Sequence, residues 1–513
     1  MKDMFKYVAD ANNISLEDMM KFNNSLKSYE TMCKTGMNLY FKLLKNTAVM
    51  SKSYLSMLEK LIEKNNQPHK AKNDKPGCFP ANGHDIYNYV ARYNMSSLQI
   101  QVILKFDDRL DFDTLKNAVR LSVEAEPVFK CRFIEDEQPY WKPLDNISMV
   151  DFCSLETTNN INQSIKDYIE SPMNIDIDPV VKLKLFRSPE YDVLVLKINH
   201  VCCDGAGVLE YVQLLADIYT EISKENGNYT PVPRISGRTD QDRLFSQLGV
   251  TNMDSLFVPG SDISMPTWPF PWEQGSSKEA CMSVRRLSGE DFDAIRKYAK
   301  SKGFTLNDLI LTACYRAMHE MGEPIYGMPM EIPITVDLRR YLPDRKTKAI
   351  RNFSGSVITK LAMQIDEPFN ETLQRVSSMM NDIKGKYPGL QSAIGLERIE
   401  KLNFYETLAY YQVSPEFKDT SAFCPIYSGD KCVPTLSNIG YISRSIIKFG
   451  DNAVNDAYLL PPAVRPTGLL ILACTYNSVM TLAAGYFKYT VSKVNIDKLL
   501  NKMRDELVEG CKE

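Results

Sequence analysis

Histidine is scarce in this chain: four in 513 residues, His69, His84, His200 and His319. They do not cluster, and no C-x-x-C pair joins them, so the usual spacing of a zinc site is missing. A glycine-rich dinucleotide turn is missing too, which removes the common signature of nicotinamide and flavin enzymes. No run of about 18 apolar residues occurs, so nothing reads as a membrane span. Basic surplus is also lacking: 61 Lys and Arg stand against 64 Asp and Glu, a formal charge of -3. Neutralising phosphates needs a broad basic surface, so nucleic acid is not an expected partner.

The twelve cysteines are mostly scattered singly. Only Cys202 and Cys203 adjoin, and neighbours in sequence are poorly placed to pair with each other. The opening MKDMFKYVADANN carries charges where a signal peptide needs an apolar run. A reduced, cytoplasmic protein without metal or resident cofactor is the expectation.

What is present divides the chain in three. Residues 1–75 form a helical extension and linker: Leu39, Leu43, Met50, Tyr54, Met57, Leu58 and Leu61 share one helical face, and NNQPHKAKNDKPG follows. That apolar stripe reads as packing surface. The local lysine excess leaves contact with a membrane surface as a secondary reading. From 76 to 255 strands and helices alternate: SLQIQVILKF, FDTLKNAVRLSVEAEP, VFKCRFIE, VVKLKLFR, YDVLVLKINH, then a long helix from DGAGV. FPANGHD before them reads as a turn. A proline-rich crossover, PVPRISG to PWEQG, leads into a second alternation over 256–513. The pattern implies an α/β enzyme of two domains.

His200 ends a more continuously apolar strand, of the kind expected inside a sheet, just before a glycine turn into a helix. Strand ends of this kind are common sites of chemistry. A lone histidine is more often a core residue bonded to backbone, but the string Asn199-His200-Val201-Cys202-Cys203-Asp204-Gly205 reads H-x-x-x-D-G. This segment resembles the active-site motif of the chloramphenicol acetyltransferase-like superfamily. That group holds alcohol acetyltransferases, plant BAHD acyltransferases, polyketide-associated acyltransferases and peptide-synthetase condensation domains. VEAEPVFKCRF, TLNDLILTACYRAM, IPITVDLRRY, RNFSG and TLSNIG resemble companion elements in the family's order, over roughly residues 78 to 513.

The resemblance implies two α/β lobes with mixed sheets and an interlobe tunnel running past the histidine. It implies acyl transfer from a thioester, acyl-CoA or acyl-phosphopantetheine, to a hydroxyl or amine, with His200 as general base. Asp204 would be structural and pair with Arg339 or Arg340. Gly205 would admit a close approach. Asn352, Ser437 and Asn438 would contact substrate. The partners implied are a small acyl acceptor, a thioester donor and, in the condensation-type variant, an acyl carrier protein.

Two departures favour the alcohol-acetyltransferase branch. Asn199 replaces the first histidine of the condensation-domain pair, and the BAHD D-F-G-W-G segment is missing, with Phe449-Gly450-Asp451 a faint echo. A free-standing condensation-type enzyme and a non-catalytic binding member of the fold remain as alternatives. So does a scaffold that works through its N-terminal helices. A thiol nucleophile at Cys202 or Cys203 competes with the plainer reading of small core residues. Trp268 and Trp272 read as pocket lining or as crossover packing. YLPDRKTKAIR reads as a solvated loop, or as a contact for a CoA phosphate.

Overall fold

A computed structural model describes residues 77–512, apart from 94, 225–226, 235–237, 239–240, 251–255, 257, 259–263, 265, 323–325, 401 and 411–429. The helices expected before residue 75 lie outside the described residues. In chain order the first stretch contains α1 (Gly83–Val90), β1 (Gln99–Phe106), α2 (Phe112–Ala125), β2 (Cys153–Thr157), β3 (Val181–Arg187), β4 (Asp192–Asn199) and α3 (Gly205–Ile222). After the proline-rich segment come β5 (Ala280–Leu287), α4 (Leu306–His319), β6 (Pro329–Asp337), β7 (Ser354–Ala362) and α5 (Leu390–Glu400). The chain continues through β8 (Lys431–Tyr441), β9 (Asn452–Leu460), β10 (Gly468–Tyr476), β11 (Val479–Phe487) and α6 (Lys493–Gly510).

Two mixed sheets carry the fold. The first runs β9–β1–β4–β3–β2, and only its β3–β2 pair is parallel. The second runs β7–β6–β8–β10–β11, with β5 added against β11. All eight residues of β4 are buried, the polar Asp192, Lys197 and Asn199 among them, which explains its mostly apolar composition. One face packs on α2 and α3 through a large core cluster. The other meets a thinner layer that includes Ile103, Phe186, Val195, Leu460 and Ala483, so both sheets contribute to it. The second sheet builds its own core with α4 and α6. This is a two-lobed α/β fold.

Strand β9 links the lobes. Late in the chain, it pairs antiparallel with β1 of the first sheet, Leu459 opposite Val102 and Tyr458 opposite Ile103. The chain then returns to the second sheet as β10. Among the described residues, no helix is long and apolar enough to cross a membrane.

FPANGHD, expected as a turn, is not one, because α1 begins inside it. Asn82 caps the helix in a reciprocal box with Asp85, and Gly83 lies so close to α5 that a Cβ there would fall 1.9 Å from the Leu396 carbonyl oxygen. Likewise VFKCRFIE becomes strand only at Cys131, because Pro127 first starts a short 3-10 turn.

Candidate active site

β4 ends at Asn199, and the Asn199 side chain accepts from the Val201 N–H at 3.0 Å, tightening the exit. His200 N–H donates to Leu98 O at 2.7 Å, which ties the loop to the start of β1. Asp204 then caps α3: its Oδ1 accepts from the Gly207 N–H at 2.8 Å. Between these two anchors the His200 ring is half-buried, while Val201, Cys202 and Cys203 are wholly inside.

Asp204 uses its other oxygen in the opposite direction. Oδ2 accepts from Arg339 Nη1 at 3.1 Å and from the Phe353 N–H at 2.6 Å. Arg339 follows β6 in a 3-10 turn that Asp337 caps. Its Nη2 donates to Arg351 O at 2.9 Å, and its Nε makes a 2.8 Å ion-pair contact with Glu210 of α3. Arg339 is buried, whereas Arg340 is exposed and lies over the Tyr341 ring. It is therefore Arg339 that meets Asp204. Burial works against the Asp204 carboxylate, yet Arg339 and the two backbone donors hold its pKa below the ordinary value.

Asn352 lies in the segment those bonds fix. It is fully buried. Its Oδ1 faces His200 Nδ1 at 3.1 Å, and its Nδ2 donates to the carbonyls of His200 and Val201, each at 2.9 Å. Burial lowers the pKa of His200, opposed by its own backbone, by Asp204 and by Asn352. The net shift favours the neutral ring. Asn352, expected against substrate, has its amide turned to the His200 loop.

Gly205 and Gly207 differ in what surrounds them. A Cβ on Gly205 would meet the flexible end of Ile439 at 2.7 Å; one on Gly207 would meet Cys203 Cβ at 2.9 Å and the Arg351 carbonyl oxygen at 3.0 Å. A protein backbone atom comes close at Gly207, where the Arg351 carbonyl lies, and a side chain at Gly205. Ile439 sits in β8 at an irregularity in its pairing with β10, where Gly440 has φ +73. Ser437 and Asn438 precede it. Their side-chain bonds go to Thr335 Oγ1 (3.0 Å) and Asn307 Oδ1 (3.3 Å), not to His200.

A second buried layer supports the site, and the sequence reading missed it. Arg238 donates to Cys202 O at 3.2 Å, to Ile350 O at 2.8 Å and to both oxygens of Asp85 at 2.8 and 2.9 Å. Trp141 Nε1 also donates to Asp85, at 2.9 Å. His84 Nε2 lies 2.9 Å from Ser354 O, and burial followed by the charge of Arg351 lowers its pKa to about 4. His84 is therefore a neutral buried strut beneath the 350–354 segment. Among the described residues, no cluster of His, Cys, Asp and Glu suits a metal ion.

Residues 91–236 match the family model of the Condensation domain. A mycosubtilin synthase polypeptide of Bacillus subtilis is 23% identical over 237 residues, 42% of this chain and 9% of that protein. The chain thus spans under a tenth of that curated relative. Among solved structures, TRI3 trichothecene 15-O-acetyltransferase from Fusarium sporotrichioides aligns with a TM-score of 0.62 at 13% identity, covering 85% of this chain and 95% of that one. Polyketide synthase associated protein 5 from Mycobacterium tuberculosis aligns at 0.59 and 15%, covering 85% and 99%. The first condensation domain of the CDA synthetase aligns at 0.57 and 15%, covering 84% and 95%.

Over residues 91–236 the chain is similar to the Condensation domain, and its fold is the one shared by the solved acetyltransferase and condensation domain that it aligns with. Identities this low show the fold alone. Within the matched Condensation segment, 91–236, lie β4, the His200 loop and α3.

Proposed function

We propose that the chain transfers an acyl group from a thioester, acyl-CoA in the first instance, to a hydroxyl or amine, with His200 as general base. The observation that carries this reading is the His200 ring, half-buried at a strand end with Nδ1 3.1 Å from a buried amide oxygen. Nε2 would take the acceptor proton as its oxygen or nitrogen attacks the thioester carbonyl. Collapse of the tetrahedral intermediate breaks the C–S bond, and the proton passes from Nε2 to the departing thiolate. Ester or amide and free thiol result, with no covalent acyl-enzyme. Orienting both substrates at His200 would supply much of the acceleration.

In this reading Asp204 and Arg339 fix the loop. Ser437 and Asn438, on the β8 strand that reaches Gly205 through Ile439, line the substrate path. The reaction is placed in the cytoplasm, and the chain divides into an extension over 1–75 and lobes over 76–255 and 256–513. A carrier-bound donor is the second reading, favoured by the match of residues 91–236 to the Condensation domain.

The test is thiol release from a panel of acyl-CoAs with pooled alcohols and amines, comparing wild type with His200→Ala. Acceptor-dependent release that falls at least about 100-fold in the variant supports the reading. Release that the variant retains in full removes His200 as base. Release seen only with acyl-phosphopantetheine on a carrier protein moves the donor assignment to the second reading.

A further inference from the structure

The ladder between β1 and β4 ends in half a rung. Asn199 N–H donates to Val180 O at 2.8 Å, on the β3 side, so alternation turns the N–H and C=O of His200 towards β1. Leu98 stands opposite, since Gln99 faces Asn199. A regular rung at this point would carry two bonds, one in each direction. Only one is made: His200 N–H donates to Leu98 O at 2.7 Å. The Leu98 N–H donates instead to Ser96 Oγ at 3.1 Å, and the His200 carbonyl accepts from Asn352 Nδ2 at 2.9 Å.

The cause lies in the Leu98 backbone. Its φ is +58, in the left-handed region that few residues other than glycine, asparagine and aspartate enter. That turn swings the Leu98 N–H out of the ladder while its carbonyl stays on His200. Such a conformation lasts only where the surroundings hold it. Here Ser97 N–H donates to Ala463 O at 2.8 Å, Ala463 N–H to Ser97 Oγ at 2.9 Å, and Arg465 N–H to Met95 O at 2.9 Å. These bonds fasten residues 95–97 to the connector between β9 and β10. The Leu98 side chain is itself buried in the core of the first lobe.

We infer that Leu98 and Ser96 are positioning residues for His200: the left-handed turn opens the last rung, Ser96 Oγ holds the freed N–H, and His200 leaves the strand. This deepens the acyl-transfer reading above and rests on it for its catalytic meaning, while the open rung is a property of the folded chain. A closed rung would have a definite consequence. His200 would extend β4 by one residue, and the period of two would put its ring on the face of Ile198. Ile198 lies in the core that packs on α2 and α3, so closure turns the base inwards.

Diethyl pyrocarbonate modification of His200, followed by peptide mass spectrometry, needs no knowledge of the substrate. Leu98→Ile keeps the side-chain volume, but a β-branched residue tolerates the left-handed region far less than one unbranched at Cβ. It should close the rung and slow His200 modification at least about fivefold, while Leu98→Met stays within about twofold of wild type. Ser96→Ala removes the partner of the Leu98 N–H and should slow modification in the same direction; Ser96→Thr keeps the hydroxyl and should not. Equal rates in wild type, Leu98→Ile and Ser96→Ala overturn the inference. So does equal slowing in Leu98→Ile and Leu98→Met, which marks a packing defect alone. Should Leu98→Ile fail to fold, the Ser96 pair decides.

With whichever donor and acceptor the thiol-release panel returns, Leu98→Ile and Ser96→Ala should each lose about 10- to 100-fold in kcat, with KM within about threefold, because a misplaced base slows the chemical step. Leu98→Met and Ser96→Thr should restore kcat to within about threefold of wild type. A loss confined to KM, or an unchanged kcat in a variant whose His200 modification has slowed, overturns the inference. If the panel returns nothing, the acyl-transfer reading fails by itself and the modification rates still decide whether Leu98 and Ser96 set His200.

Discussion

Arg339 Nη1 stands 3.1 Å from Asp204 Oδ2, and both side chains are almost completely buried. The pair joins α3 to the turn after β6, and so joins the two sheets at the His200 loop. Each oxygen of Asp204 has backbone duty besides, with Oδ1 on Gly207 and Oδ2 on Phe353.

Removing one partner leaves an uncompensated charge inside the protein, which costs about 3–5 kcal/mol. Arg339→Met is therefore expected to lower stability by that amount in urea unfolding. Asp204→Asn should be milder in charge but loses one of two acceptor atoms, so either Gly207 or Phe353 is left without its partner. The folded Asp204 pKa is depressed, so its contribution is fully present above about pH 3.9 and is lost as pH falls through the lower folded value. A stability loss below about 1 kcal/mol in Arg339→Met would show that the pair holds nothing.

The two motif glycines should respond differently to a methyl group. At Gly205 the obstacle is the end of the Ile439 side chain, which can rotate; at Gly207 it is Cys203 Cβ and the Arg351 carbonyl. Gly207→Ala is expected to cost about 1–3 kcal/mol by overpacking, and Gly205→Ala less than about 1 kcal/mol. Thermal melts of the two variants check this, and equal shifts would contradict it.

Cys202 and Cys203 are wholly buried, and Cys202 Sγ donates to Asn199 O at 3.0 Å. Burial, then the neighbouring Cys202, push the Cys203 thiol well above its ordinary pKa, the opposite of a nucleophile's tuning. Replacing both by Ala should leave His200-dependent turnover within about threefold once the variant is folded, at a stability cost of about 1–2 kcal/mol. Iodoacetamide should not label either thiol in the native protein. Stoichiometric labelling with loss of activity would restore the thiol hypothesis.

How much of this is legible in the residues depends on the range of each contact. The β4 strand, the α3 helix and the Asp204 cap are local, and their apolar period and D-G turn are visible in one short string. The α1 helix is also signalled, by Asn82 and Asp85 at capping-box spacing, but Asn-Gly is equally a turn signal and points the other way. The return of β9 to the first sheet has no local mark, because pairing with β1 spans more than 340 positions and any half-apolar strand fits either sheet. Asn352 stands out by its motif, yet only its bonds to the carbonyls of His200 and Val201 show which way its amide faces. Arg238, Asp85 and Trp141 carry no mark of their own, because a buried polar network is assembled from residues far apart in sequence.

A buried lysine beside the interlobe layer makes the last prediction. Lys197 of β4 is 1% exposed, and its Nζ donates to Ser171 O at 2.6 Å and to Ser171 Oγ at 2.8 Å, with the Tyr168 ring centroid 4.3 Å away. Burial lowers its pKa to about 7, helped by Lys182 and Lys184 and opposed by Asp178. An unfolded lysine titrates near ~10.4. Between these two values the unfolded chain binds the extra proton, so the Lys197 contribution to stability rises with pH, by at most about 1.4 kcal/mol per unit. Below about pH 7 both states hold the proton and the full burial penalty is present. Lys197→Met should flatten the stability profile between pH 7 and about 10 and should be relatively more favourable at the acid end of that window. Urea unfolding of both proteins at half-unit steps measures the difference, and parallel profiles would mean that Lys197 keeps an ordinary pKa in the folded protein.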